Sequence, residues 1–262
     1  MMKKLLILAA IICALALALS SCVVIFTSED DQGFTFTSNL DGTCYLRGMF
    51  IDRAYGNIVI PETSPKGDIV TSIKEYAFSD CESLTSIEIP ASVTYIGRSA
   101  FSRCKSLTSI EIPASVTYID NYAFRDCTSL TSVTFAEGSQ LTDIGEESFY
   151  YCTSLTGIER PASVTYIGCS AFKFCQSLAS VNFAEGSQLT DIGYEAFRGC
   201  TSLTSIEIPT SVTSIGSSAF WHCPLTDVYY TGSEEEWAKI SVGSGNDYLT
   251  NATIHYNYVP EE

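Results

Sequence analysis

From residue 78 onward the chain repeats itself at a period too short for any single unit to fold alone. Phenylalanine recurs at Phe78, Phe101, Phe124, Phe149, Phe172, Phe197 and Phe220, in steps of 23 or 25 residues. Cysteine follows three residues later each time, at Cys81, Cys104, Cys127, Cys152, Cys175, Cys200 and Cys223. Each unit holds two patterns. Ile87 and Ile89 alternate with Ser86 and Glu88, which is the period of a strand with one buried face. Ala100, Phe101 and Cys104 have the spacing of one helical turn presenting a single face. Pro90 and Pro113 end the strands, because proline cannot continue a ladder, and Gly97 marks a turn. A unit of this size cannot bury its apolar face by itself, whereas stacked units can. The expectation is a solenoid with one parallel strand per coil, its seven strands forming a ladder roughly 30 Å long.

The repeating pattern LxxIxIPxxVxxIGxxAFxxC resembles the BspA-like leucine-rich repeats of bacterial and protist surface proteins. The resemblance covers residues 68–230. It implies a right-handed leucine-rich-repeat solenoid with one parallel strand per coil of 23–25 residues, short helical turns opposite the strands, and a cap at each end. Residues 33–67 read as an N-terminal β cap. There Phe34 to Thr37 alternates, Asp41 and Gly42 signal a tight turn, and Cys44 to Phe50 returns as a second strand. Asn57 to Ile60 reads as a third short strand. Residues 231–262 read as a C-terminal cap and look like the terminal unit usual in the family. Ser233 with Glu236 makes a capping box that starts a short helix, with Trp237 and Ile240 covering the last coil. The segment FAEGSQLTDIG occurs identically at 135–145 and 183–193. Each copy adds two residues after its strand, so 136–140 and 184–188 should bulge on one edge, two coils apart. Loops tolerate such insertions, and neutral length variation is the simpler reading.

Residues 1–21 have a basic start at Lys3 and Lys4 and an uncharged apolar run, the pattern of a signal peptide. The tetrapeptide Leu19-Ser20-Ser21-Cys22 resembles the bacterial lipobox, which implies lipidation of Cys22 and a tether over 22–32. The apolar run also continues to Phe26, so 5–26 is long enough to serve as an uncleaved spanning anchor. Both readings put the rest of the chain outside the cytoplasmic membrane.

Acidic residues outnumber basic ones 30 to 14, for a net charge of −16, and loss of Lys3 and Lys4 makes it two units more negative. Nucleic acid is therefore not an expected partner, nor is electrostatic docking to anionic lipid. No nucleophile elbow, zinc-protease helix motif, phosphate loop or dinucleotide fingerprint occurs, so no catalytic, cofactor or metal residues are assigned. His222 and His255 read as ordinary turn and cap residues. The one-per-coil cysteines read as a ladder of buried thiols, with some disulfide pairing as the alternative. No CxxC pair occurs, and Cys169 lies off the ladder phase as the candidate reactive thiol.

What remains is surface. Outward strand positions form a column of small hydroxyls beside a largely acidic column, and the candidate ligand face is Glu88, Glu111, Glu159, Glu207 and Tyr229. Keeping an open sheet soluble accounts for the same residues. A second candidate surface is the edge aromatics Tyr95, Tyr118 and Tyr166, and Tyr150, Tyr151, Phe174 and Trp221 occupy the variable positions between phenylalanine and cysteine, as binding anchors or as packing between coils. The resemblance implies adhesion through a protein or glycan ligand on a host or microbial surface. The alternatives are a structural or assembly role in the envelope, and an accessory role in carbohydrate processing.

Overall fold

The computed structural model describes residues 27–49, 54–183 and 186–259. Cys22 and the whole candidate anchor segment lie outside them. The described chain opens with three strands, β1 (Thr27–Glu29), β2 (Phe34–Ser38) and β3 (Thr43–Met49), paired antiparallel in that order. From there the chain winds into about nine coils carrying two columns of parallel strands.

The first column holds the longer strands that the alternating pattern specifies. They are β4 (Gly56–Val59), β6 (Leu84–Glu88), β8 (Ser109–Ile112), β10 (Ser132–Phe135), β12 (Gly157–Arg160), β14 (Ser180–Phe183), β16 (Ser205–Ile208), β18 (Asp227–Tyr230) and β20 (Thr253–His255). They pair in hydrogen-bonded groups of two, four and three. The second column adds a short strand to every coil, which the repeat pattern did not anticipate. It holds β5 (Ile69–Ile73), β7 (Tyr95–Ile96), β9 (Tyr118–Ile119), β11 (Asp143–Ile144), β13 (Tyr166–Ile167), β15 (Asp191–Ile192), β17 (Ser214–Ile215) and β19 (Ser241–Val242). Because β3 pairs parallel with β5, this column joins the N-terminal hairpin into one sheet of eleven strands.

The third side of each coil is the Ala-Phe-x-x-Cys segment. It forms hydrogen-bonded turns rather than a helix. Ser99 and Arg103 both take left-handed backbone conformations, with φ of 53° and 62°. Ala100, Ser102 and Cys104 donate amide hydrogens within the coil, to Gly97, Ser99 and Phe101. Ser99, Phe101 and Arg103 instead donate to Asn121, Ala123 and Arg125 of the next coil. The left-handed residues cost about 1–2 kcal/mol each in an L-chain. In return every second amide reaches across the stack, so the turn face is a third ladder.

The side chains inside stack in register with the backbone. The rings of Phe78, Phe101, Phe124, Phe149, Phe172, Phe197 and Phe220 lie parallel, with successive centroids 5.2–5.4 Å apart. All seven are fully buried, as are Leu84, Leu107, Leu130, Leu155, Leu178 and Leu203. Close packing extends to the backbone. A Cβ at Gly168 would come within 2.5 Å of the Gly145 carbonyl carbon in the coil below.

The two ends cover the stack differently. At the start, the edge of the Phe34 ring meets Phe78 at 6.4 Å. At the other end, α1 (Glu234–Trp237) begins at Ser233 with the full reciprocal capping box to Glu236. Trp237 then packs edge-on against Tyr230 at 5.2 Å. A second short helix, α2 (Asp247–Thr250), buries Leu249. Its N-cap residue Asn246 closes the turn ladder. The Asn246 Oδ1 accepts from the Phe220 amide at 3.1 Å, the bond that an alanine carbonyl, or in one coil that of Ser148, accepts in earlier coils. β19 and β20 carry both strand columns one coil further, although the sequence there no longer matches the repeat.

Candidate functional site

Alternation along each first-column strand turns one set of side chains inward and leaves the other facing solvent. The outward set forms two parallel files. The first is Asn57, Ser86, Ser109, Ser132, Gly157, Ser180, Ser205, Asp227 and Thr253, and the second runs beside it from Val59 to His255. Threonines just before the strands fix the spacing. The Thr108, Thr131 and Thr156 hydroxyls each donate to the threonine carbonyl one coil below.

The candidate ligand residues all lie in the second file, but their surroundings differ. Glu88, Glu111 and Glu159 are exposed. Glu111 pairs in register with Thr134, and Glu159 with Asn182, so the acidic file is interrupted at its centre. Glu207 is half-buried beside Tyr229, and that burial pushes its carboxyl up from its usual value. Tyr229 stacks on the His255 imidazole at 4.8 Å, and the His255 Nε2 meets Asp227 Oδ1 at 2.7 Å.

At the interrupted centre, β10, β12 and β14 and the segments that follow them enclose a groove of about 1020 Å³. Its floor carries Ser132, Thr134, Gly157, Glu159, Ser180 and Asn182. Gly157 is where the serine file lapses, and a Cβ there would come within 2.9 Å of Ser180 Oγ. The two duplicated insertions both reach this groove, through Gly138, Ser139 and Gln140 from the first and Gln188 from the second. The first is held by Gln140 N–H donating to Ala114 O at 2.9 Å and by the Ser163 hydroxyl donating to Ser139 O at 3.1 Å. The Gln188 amide repeats the backbone bond, to Ala162 O at 2.9 Å.

The edge aromatics lie on the second strand column. Tyr95 and Tyr118 stack at 6.1 Å, and burial together with the hydrogen bond that its hydroxyl donates to Asp120 pushes the Tyr95 phenol well up. Tyr166 is separated from them by Asp143 in the register, and its hydroxyl lies 3.9 Å from Cys169 Sγ. The three tyrosines therefore form a pair and an isolated ring rather than one strip.

The turn face brings the aromatics between phenylalanine and cysteine together with cations. The Arg125 guanidinium lies over Tyr150 at 4.7 Å, and Arg198 over Trp221 at 4.2 Å. The same cations reach carboxylates: Arg125 meets Glu147 at 2.6 Å, while Lys173 and Arg198 both pair with the buried Glu195. The aromatics here were legible as variable positions between phenylalanine and cysteine, whereas their cation and carboxylate partners lie on neighbouring coils and needed the register.

All nine cysteines among the described residues are free. The ladder thiols point across the stack at carbonyls rather than at one another. Cys104, Cys127, Cys152 and Cys175 donate to Phe78, Phe101, Phe124 and Phe149 at 3.1–3.2 Å. Burial pushes Cys127 and Cys152 up from the usual thiol value. Cys169 alone among the nine is partly exposed. Among the described residues no cluster of three or more metal-ligating side chains occurs, and no helix is long and apolar enough to cross a membrane.

Stacked coils with an aligned phenylalanine core and a parallel strand face define a leucine-rich-repeat solenoid. The sequence profile of the BspA type Leucine rich repeat region matches six copies over residues 49–140 and 138–241, and the chain belongs to that family. No curated protein matches its sequence. Solved structures with the same fold include a leucine-rich repeat protein of T. pallidum, 28% identical, with a TM-score of 0.66 over 75% of this chain and 89% of that one. A leucine-rich repeat protein of Bacteroides ovatus is 26% identical, with a TM-score of 0.61 over 80% of this chain and 59% of that one. The pneumococcal vaccine antigen PcpA is 25% identical, with a TM-score of 0.57 over 80% of this chain and 51% of that one.

Proposed function

We propose that the protein is anchored at its N-terminus, displayed outside the cytoplasmic membrane, and binds a macromolecule on the face formed by the first strand column. The observation that carries this reading is the groove at the centre of that face. A solenoid face is an extended, rigid platform whose side chains are set by register, which is how repeat proteins present binding surfaces. Exterior display is supported by the lipobox-like segment at Cys22 and by a relative described as a vaccine antigen. The proposed role is adhesion to a protein or glycan on a host or microbial surface.

The test probes full-length protein against immobilised matrix proteins, envelope fractions and glycans. The variant Glu88→Gln/Glu111→Gln/Glu207→Gln should fold normally, because exposed carboxylates contribute little to stability and Glu207 is relieved of a buried charge. With a basic protein ligand it should associate more slowly and with a flatter salt dependence. If that variant and variants of the groove all bind as the parent does, while Tyr95→Ala/Tyr118→Ala/Tyr166→Ala abolishes binding, the strand face is not the site.

A further inference from the structure

We infer that the groove over β10, β12 and β14 is a site for an uncharged glycan strand lying along the solenoid axis. The inference rests on the strand-face reading and adds the chemistry of the ligand.

Three features of the groove select that chemistry. The first is charge. Flanking rungs of the second file carry Glu88, Glu111 and Glu207, but within the groove Thr134 and Asn182 replace the carboxylate on either side of Glu159. Among the described lining residues there is one carboxylate amid amides and hydroxyls, which favours neither an anion nor a multivalent cation. The second is the kind of polar group. Asn182, Gln140 and Gln188 are planar groups offering paired donors and acceptors, and Glu159 offers paired acceptors, which together match vicinal hydroxyls. The partly buried Phe135, with Pro161 and Ala162, supplies apolar surface for the C–H face of a sugar ring. A peptide would be expected to add to a strand edge, but β10 and β12 are already paired on both sides.

The third feature is repetition. Identical insertions place Gln140 and Gln188 at the same phase two coils apart, a separation of about 10 Å at the usual spacing of paired strands. That is the length of about two sugar rings, so equivalent hydroxyls of a repeating glycan could meet equivalent amides. The site is also built in advance. The Gln140 Nε2 donates to Gly138 O at 2.8 Å, which orients its carboxamide before any ligand arrives. Gly157, by omitting a side chain, leaves the floor open between the two amides.

Calorimetry on the full chain in a sugar-free detergent tests this. The probes are the neutral hexasaccharides of cellulose, xylan, mannan, laminarin and chitin, with a heparin hexasaccharide as the charged comparison. The parent should bind at least one neutral probe with an affinity that salt does not change. Gln140→Ala and Gln188→Ala should each weaken it about tenfold, the cost of one lost hydrogen-bonding group, without changing the melting temperature. Failure to bind any neutral probe, binding of the heparin probe alone, or binding indifferent to both glutamines would overturn the assignment. A parent that binds no sugar, yet binds an arrayed protein in a manner lost with the glutamate variant, would overturn the glycan site and leave the strand-face reading standing. If no arrayed ligand binds either, both fall.

Discussion

Replacing Phe149 by alanine tests whether the aromatic stack holds the coils together. Phe149 is fully buried, and its ring lies 5.2 Å from Phe124 on one side and 5.2 Å from Phe172 on the other. Truncating a buried phenylalanine costs about 3–5 kcal/mol. Phe220 is equally buried, but its ring stacks on Phe197 alone, at 5.4 Å, while its backbone amide donates to Asn246. Phe220→Ala should therefore cost less by about one ring pair, roughly 0.5–1.5 kcal/mol. Urea unfolding followed by circular dichroism reads the difference. With a slope of about 2–3 kcal/mol per molar, Phe149→Ala should lower the midpoint by about 1–2 M, and Phe220→Ala by visibly less. The loss is a large part of a typical total stability of about 5–15 kcal/mol, so the titration starts from zero urea to keep a folded baseline for the variant. Equal costs at the two sites, or a cost at Phe149 under about 2 kcal/mol, would refute the idea that the rings act through their neighbours.

The other expectations concern polar groups inside the stack. Cys127→Ser should destabilise by about 1–3 kcal/mol, because the shorter hydroxyl fits poorly where the thiol now donates to Phe101; mass-mapped thiol labelling of native protein should modify Cys169 first and Cys127 only on unfolding. Ser148 stands where other coils have alanine, and its buried hydroxyl has no hydrogen-bond partner among the described residues, so Ser148→Ala should raise stability by about 1 kcal/mol in a thermal melt. Burial opposes ionisation of Glu195, but hydrogen bonds from Lys173, Arg198 and Tyr194 outweigh it and hold the carboxyl below its usual range. Its contribution is therefore present above the ordinary carboxylate value and lost as pH falls through the depressed one. Glu195→Gln should cost about 1–3 kcal/mol at neutral pH, and the gap to the parent should close in acid.

Much of the fold was legible because the phenylalanines and cysteines keep phase over seven coils, and only stacking makes such a phase useful. The alternation at Ser86 to Ile89 likewise identified the first strand column. The second column was hidden by its length: Tyr95–Ile96 is too short to show any period. The turn segment read as helical because Ala100, Phe101 and Cys104 share a face, and nothing about a serine at 99 or an arginine at 103 announces a left-handed backbone. The strand-like segment at His255 and the capping box at Ser233 were legible, but that β19 and β20 continue both strand columns needed the register, because their side chains diverge from the repeat. The candidate site was half visible. The outward glutamates followed from alternation, and the duplicated insertions were plain in the sequence. That Gln140 and Gln188 face one groove, at the point where the acidic file lapses, needed the register between coils.

The central claim is that the strand face is where this protein meets its partner. Hydrogen exchange of the full chain, free and bound to the tightest ligand found on the protein and glycan arrays, tests it most directly. Amides at an occupied face are shielded, and the strand and turn ladders report separately. The prediction is slowed exchange at 131–140, 156–163 and 186–188, with the turn face around Tyr150, Arg198 and Trp221 unchanged. Protection confined to that turn face, with the strands exchanging as in the free protein, would contradict the account.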